Sequence, residues 1–480
     1  MDKARRGCDH RRVTIRLLPF WLVASLFFVA TLLSRIPTFS RSVLDWDESL
    51  YFLMAQQWRQ GHLPYTTIWD NKPIGIYAIF AVAQTVFGDR VAAIRLAMVL
   101  CVSVLAFAVS RITRALTGDE AAGLVAGVAL ILCSLSNDGQ ASNTELFMAC
   151  CTALAVWVSL TTEWAFLVGL LLGAAFMIKY VSIFEAPAIF FFFLARHRRP
   201  AAGLWMVLGA ALPMALTALL YAAHGQLGLW WATSIASNFR RVDAPFTQQA
   251  FDYAMHMEVL RWGTMYLAGL VLLVLAAARR RAADLFLATW AVGGVVGVVA
   301  AKSFYDHYFL QLLPVLCVSL GVLFARLRHA AWLRAGFVVV ALALPAWAAK
   351  TAIGHSLAPD IPNEVGAGLK GQAGSLYVFD TEPIIYALAG KVPPTRFVLP
   401  SELIGRSLPR VIGNDPVAEV ARILAGAPEF IARRSNPETN PALINPTVYA
   451  EVDAAIAAHY RLWRRYPGIL VFQRRAASGD

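Results

Sequence analysis

The chain has 480 residues, 58% hydrophobic and only 15% charged, which excludes an ordinary soluble globular protein. Its net charge is +12. The basic residues fall in short clusters between apolar runs, not on one aromatic-rich face, which excludes nucleic acid as a partner. Cys8 lies in a basic N-terminal tail and Cys101, Cys133, Cys150, Cys151 and Cys317 lie in apolar runs. The C-terminal tail has none and so cannot rely on disulfides, and no ligand spacing suggests a zinc site.

Apolar runs of about 15–22 residues recur from Leu17 to Ala349, the signal for multiple transmembrane helices. The first, Leu17 to Leu33, has a basic flank but no small-residue cleavage site before Arg35, and reads as a retained anchor. The tail with Arg5, Arg6, Arg11 and Arg12 is expected in the cytoplasm. The clusters Arg111/Arg114, Arg196–Arg199, Arg279–Arg281 and Arg326/Arg328 are expected on the same side. That assignment requires the stretch from Lys72-Pro73 to Phe87 not to span. It is short for a crossing and reads as an interfacial or re-entrant helix, opened by Pro73 and closed by Gly88.

The predicted spans are 17–33, 92–113, 120–136, 145–161, 164–178, 181–195, 203–222, 262–278, 283–301, 304–324 and 331–349, eleven crossings. They place the N-terminus inside and the C-terminus outside the membrane. A membrane domain (1–349) with a long first outer loop (34–91) would precede a small extracytoplasmic α/β domain (350–480). The polar stretches 34–91, Ser136–Thr144, Lys179-Tyr180, 223–261 and Lys302–Tyr308 would all share the outer face.

The run Asp45-Trp46-Asp47-Glu48-Ser49-Leu50-Tyr51 follows the first span. Acidic residues beside a lipid-facing segment are costly and mark candidate sites. Asp47 and Glu48 open an amphipathic helix ending before Gly61 and Pro64. Asp45 can be its N-cap with Glu48 as capping-box partner, and Asp47 either a first-turn dipole charge or a catalytic carboxylate. In Trp69-Asp70-Asn71-Lys72-Pro73, Lys72 at a helix start suits either a lipid phosphate or headgroup anchoring. Arg95 has the same two readings. Glu145, at a helix start, is either ordinary helix stabilisation or a site carboxylate, and a lone histidine such as His307 is more often structural than catalytic. With Lys179 and Tyr308 these residues nevertheless converge on the same face. A carboxylate general base beside phosphate-binding cations suits transfer of a group from a lipid phosphate to a hydroxyl.

At these residues the sequence resembles the GT-C membrane glycosyltransferases that use polyprenyl-phosphate sugars, among them protein O-mannosyltransferases, lipid A aminoarabinose transferases and rhizobial lipopolysaccharide galacturonosyltransferases. The matching pieces are Asp45-Trp46-Asp47-Glu48 with Tyr51 and Ala55, Gly61 with Pro64-Tyr65, and Trp69-Asp70-Asn71-Lys72-Pro73. Arg95-Leu96, Thr144-Glu145 with Phe147-Met148, Gly173 with Lys179, His307-Tyr308-Phe309 with Leu313-Pro314, and Ile385–Gly390 follow. The resemblance implies a polytopic helical GT-C fold and an inverting transferase. Asp47 would be the general base, with Glu48 beside it and Glu145 as second-loop carboxylate. Lys72, Arg95 and Lys179 would face the donor phosphate, with Tyr51, Asp70, His307 and Tyr308 as further site candidates.

The implied partners are a polyprenyl-phosphate-linked sugar donor, an envelope glycolipid, glycan or protein acceptor, and the bilayer. No cofactor is indicated. Asn71 stands where some aminoarabinose transferases carry a metal-ligating Glu, and Asp70 is a weak substitute, so the sequence supports no metal. A transporter or flippase would place polar residues at the midplane on broken helices with internal repeats, and neither is visible. A non-catalytic polysaccharide-assembly protein is the remaining alternative.

In the tail, strands are expected at Leu376–Phe379, Arg396–Leu399, Phe430–Arg433, Arg461–Arg465 and Ile469–Gln473. Helices are expected at Pro383–Ala389, Val417–Ala425 and Val452–His459, an α/β layer pattern that reads as a lid or acceptor-selecting module.

Overall fold

The computed structural model describes residues 19–241, 248–327, 330–406, 408–437 and 444–476. The N-terminal arginines, Cys8, the first residues of the first predicted span, and Arg328 lie outside them. Among the described residues eight helices are long and apolar enough to cross a membrane. All eight fall on predicted spans. The remaining three predicted spans are shorter helices, Glu120–Cys133, Ala165–Ile178 and Ala186–His197. A helix of 14 residues rises roughly 21 Å against a hydrocarbon core of about 30 Å.

In chain order the helices are α1 (Phe20–Arg35), α2 (Trp46–Arg59), α3 (Gly75–Phe87), α4 (Val91–Thr117), α5 (Glu120–Cys133), α6 (Thr144–Thr161), α7 (Ala165–Ile178), α8 (Ala186–His197) and α9 (Ala202–Ala223). The helices Gln248–Arg279, Ala282–Ala300, Leu313–Arg326 and Ala331–Ser356 follow. Helices α4, α6 and Leu313–Arg326 form the centre, while α9 and Ala331–Ser356 leave apolar residues such as Leu219 and Val340 exposed on the outside of the bundle. Helix α7 lies flush on α9, because a Cβ at Gly169 or Gly173 would strike the backbone of Met206 or Ala210, the small-residue packing typical of membrane helices.

Helix α3 runs alongside α2, start to start and end to end. Lys72, just before it, reaches Asp47 of α2, and Arg95, just after it, reaches Glu48 of α2. Asp89, at its C-terminal end, meets Gln56 and Arg59 of α2. Arg279, Arg281 and Arg326 line one cavity with Leu116 and Thr117 at the last turn of α4.

The stretch 223–261, expected to be a loop, is largely helical. It contains Leu227–Trp230, a π-helical turn at Trp231–Ala236, Ser237–Arg241 and the start of the helix Gln248–Arg279. The last is bent at Trp262, whose φ is −130°. Ala254, Glu258 and Trp262 are buried, and burial of that face extends the helix beyond its apolar run.

After Ser356 the chain builds a four-stranded sheet from β1 (Leu376–Phe379), β2 (Phe430–Arg434), β3 (Tyr460–Tyr466) and β4 (Ile469–Arg474), in the order β1-β2-β4-β3. β1 and β2 are parallel and the other pairs antiparallel. Alternation on β1 sends Leu376 and Val378 to the core continuous with the helical bundle, and Tyr377 and Phe379 to a second core with Val420, Ile431 and Val452. The predicted strand Arg396–Leu399 is not a strand. Its backbone bonds the first loop instead of the sheet: Trp69 N–H donates to the Arg396 carbonyl at 2.8 Å, and Arg396 donates to the Tyr65 carbonyl. The sheet layer is further tied to that loop by Ser42, which donates from N–H and Oγ to Asp360 at 2.9 and 2.7 Å.

Candidate active site

Asp45 is the N-cap of α2, accepting from the Asp47 N–H at 3.2 Å. The expected capping box does not form. Glu48 turns instead into the interior, where it pairs with Arg95 and accepts from the backbone N–H groups of Leu44 and Ser142. Both side chains of the Glu48–Arg95 pair are 1% exposed. Arg95 also donates to the Thr38 carbonyl. The structure therefore places these two residues, expected to face substrate, in a saturated internal bridge that holds α2, α4 and the second loop together.

Asp47 lies on the other side of the same helical turn, partly open at 21% exposure. Lys72 Nζ is 3.2 Å from its carboxylate and 3.5 Å from that of Asp70. Tyr51, one turn on, donates to Asp47 at 3.1 Å, and its ring lies 5.1 Å from the Lys72 ammonium. Tyr77 donates to Asp70 at 2.9 Å. Asn71 donates to Asn238 and accepts from it at its own carbonyl.

A second lysine–carboxylate pair stands close by. Glu145, at the first turn of α6, pairs with Lys179, which follows α7 in an extended conformation. The Lys179 ammonium sits 3.8 Å above the Tyr308 ring. His307 bridges the acids, Nδ1 lying 3.7 Å from Asp45 and Nε2 3.9 Å from Glu145. Gly75 sets the distance between the two lysine segments: with no Cβ, the first turn of α3 touches the Met177 backbone, two residues before Lys179.

The electrostatics separate the acids. Burial pushes the Asp47 carboxyl up, but Lys72, His307 and Lys179 outweigh it and bring it to about 2. Burial and the Asp47 charge together push Asp45 up to about 6. Asp47 is thus an anion held by cations, and Asp45 a carboxyl that takes up its proton as pH falls through about 6.

Sequence reasoning did not single out several members of this region. Asn143 donates to Asp45 at 3.0 Å. Glu402, fully buried, is raised by burial and by Asp70. A cleft of about 420 Å³ opens behind Asp45, lined by Arg41, Trp46, Asp138 and Glu382 with Pro359 and Ile361. Burial raises Asp138 and takes Glu382 to about 7. Residues as distant in sequence as Asp45 and Glu382 give no local pattern; only the docking of the sheet layer joins them. Among the described residues no three His, Cys, Asp or Glu side chains are grouped to hold a metal ion.

Residues 71–221, which include Lys72, Arg95, Glu145 and Lys179, match the family described as dolichyl-phosphate-mannose-protein mannosyltransferase. No curated protein sequence matches the chain. Its structure is similar to ArnT from Cupriavidus metallidurans bound to undecaprenyl phosphate, at 14% identity and a TM-score of 0.66, over 95% of this chain and 98% of that one. It is also similar to the archaeal oligosaccharyltransferase AglB from Archaeoglobus fulgidus in complex with an inhibitory peptide and a dolichol-phosphate. There the identity is 13% and the TM-score 0.53, over 96% of this chain and 75% of that one. The fold is accordingly that of the GT-C membrane glycosyltransferases, as the sequence motifs imply.

Proposed function

We propose that this protein is an inverting glycosyltransferase of a bacterial inner membrane. It would move a sugar from a polyprenyl-phosphate donor to a hydroxyl of an envelope glycolipid, polysaccharide or protein on the outer face. The observation that carries the reading is Asp47: an ionised, partly open carboxylate held between Lys72 and Tyr51 at the rim of a multi-pass bundle. The donor phosphate displaces Asp47 and Glu145 as partners of Lys72 and Lys179. Freed from Lys72, the Asp47 carboxylate becomes more basic and takes the proton of the acceptor hydroxyl.

The acceptor oxygen then bonds the anomeric carbon as the bond from that carbon to the phosphate oxygen breaks. The electron pair leaves with the polyprenyl phosphate, whose growing charge the two lysines stabilise. Inversion is what the resemblance implies. The cleft behind Asp45 is the acceptor side, where Asp45, Asp138 and Glu382 offer hydrogen bonds to sugar hydroxyls. Residues 350–480 act as the module that closes this side. The N-terminus lies in the cytoplasm; a reporter fused after Gly88 is expected outside and one after Gly118 inside, and the reverse would mean that α3 spans.

Mass spectrometry of envelope glycolipids and glycoproteins tests the function. A deletion strain is expected to lose one glycosyl modification, restored by the wild-type gene and not by Asp47→Asn at equal expression. Full restoration by Asp47→Asn would refute the assignment.

A further inference from the structure

We propose that the end of the bundle opposite Asp47 carries a binding pocket for an anionic glycerophospholipid of the leaflet at that end. The helix Gln248–Arg279 is fixed at the site end by Arg261, which donates to Asn137 at 2.9 Å and pairs with Asp306 at 2.6 Å. From Arg261 to Arg279 it rises roughly 27 Å, close to one hydrocarbon thickness. There a cavity of about 900 Å³ opens between this helix, Ala282–Ala300, Leu313–Arg326, Ala331–Ser356 and the last turn of α4.

Its walls are apolar, with Leu267, Val271 and Val340 among them, and its polar lining includes Arg279, Arg281, Arg326 and Asp284. Arg326 pairs with Asp284, which is 1% exposed. Yet Arg326 Nη1 and Asp284 Oδ2 are both buried without a hydrogen-bond partner. Solvent reaches neither atom, so a ligand meets the accessible edge of the Arg326 guanidinium together with Arg279 and Arg281. The phosphate diester of an anionic lipid supplies acceptors for them. Three arginines against one aspartate favour the anion, guanidinium groups bind phosphate in a bidentate manner, and the apolar walls take an acyl chain. This pocket is separate from the transfer site and does not depend on the proposed reaction.

Native mass spectrometry of the full chain in detergent tests it, with dioleoyl phosphatidylglycerol, dioleoyl phosphatidylcholine and free glycerol 3-phosphate as probes. The phosphatidylglycerol adduct is expected to be retained at least about tenfold better than the phosphatidylcholine one. Arg279→Gln/Arg281→Gln, at exposed positions, is expected to lose that preference, and Val271→Trp, which fills the cavity, to lose the adduct. Equal retention of the two lipids, or retention unchanged in both variants, would overturn the proposal. Displacement of the lipid by glycerol 3-phosphate would overturn the lipid assignment.

Discussion

Asp47 and Glu48 are neighbours in sequence and opposites in the fold. Glu48 is sealed against Arg95 with both side chains 1% exposed, whereas Asp47 and Lys72 stand 21% and 18% exposed. A buried bridge with its hydrogen bonds filled holds a geometry and cannot release a partner without a large penalty. A half-open pair can exchange its lysine for an incoming anion. One helical turn thus carries both the fastening of the site and its reactive group, and which acid does which depends on what α4 and the second loop bring to each face.

Separating the two acids by mutation breaks or sharpens this contrast. Asp47→Asn is expected to lower transfer about 10²- to 10⁴-fold, the range of general-base catalysis, with unfolding in detergent little changed. Glu48→Gln is expected to act on the fold, costing about 3–5 kcal/mol by leaving Arg95 buried without its counter-charge. The paired change Glu48→Met/Arg95→Met should recover part of that loss, which thermal unfolding would record. If Glu48→Gln unfolds like wild type and fails only in turnover, the assignment of the bridge is wrong.

Gly75→Ala is expected to cost about 1–3 kcal/mol by overpacking α3 against Met177. It should also reduce transfer, because the Lys72 and Lys179 segments move apart; unfolding and turnover measured on one preparation would separate the two effects. The smallest effect expected is on pH dependence. Asp45 sits at about 6 against an ordinary 3.8, so it binds its proton more tightly folded than unfolded. Its stability contribution is full below about 3.8 and is lost as pH rises through about 6. Asp45→Asn is expected to flatten the melting temperature across that window, measured by thermal unfolding from pH 4 to 7.5.

Much of this was legible from residue order. Apolar periodicity marked the helices, and the chemistry of Asp47, Lys72, Glu145, Lys179 and His307 marked side chains that the fold brings to one face. The fate of Glu48 was not legible: a capping box is a local pattern, while its actual partners, Arg95 and Ser142, are far along the chain. The same holds for Asp45, whose contacts with Asn143 and His307 come from two other loops. The stretch Arg396–Leu399 has strand-like residues, but its hydrogen bonds go to Trp69 and Tyr65, and no window of sequence contains both partners. Residues 248–261 read as loop because their helix buries polar Glu258, met by Asn137 and by Tyr266 at 2.6 Å.

The most direct test of Asp47 as base compares binding and turnover in one variant. With a polyprenyl-phosphate sugar and purified protein, Asp47→Asn is expected to bind the donor about as tightly as wild type, or more tightly since Lys72 is released. Its single-turnover transfer should fall at least about 10²-fold. Transfer at the wild-type rate, with donor binding intact, would contradict the account.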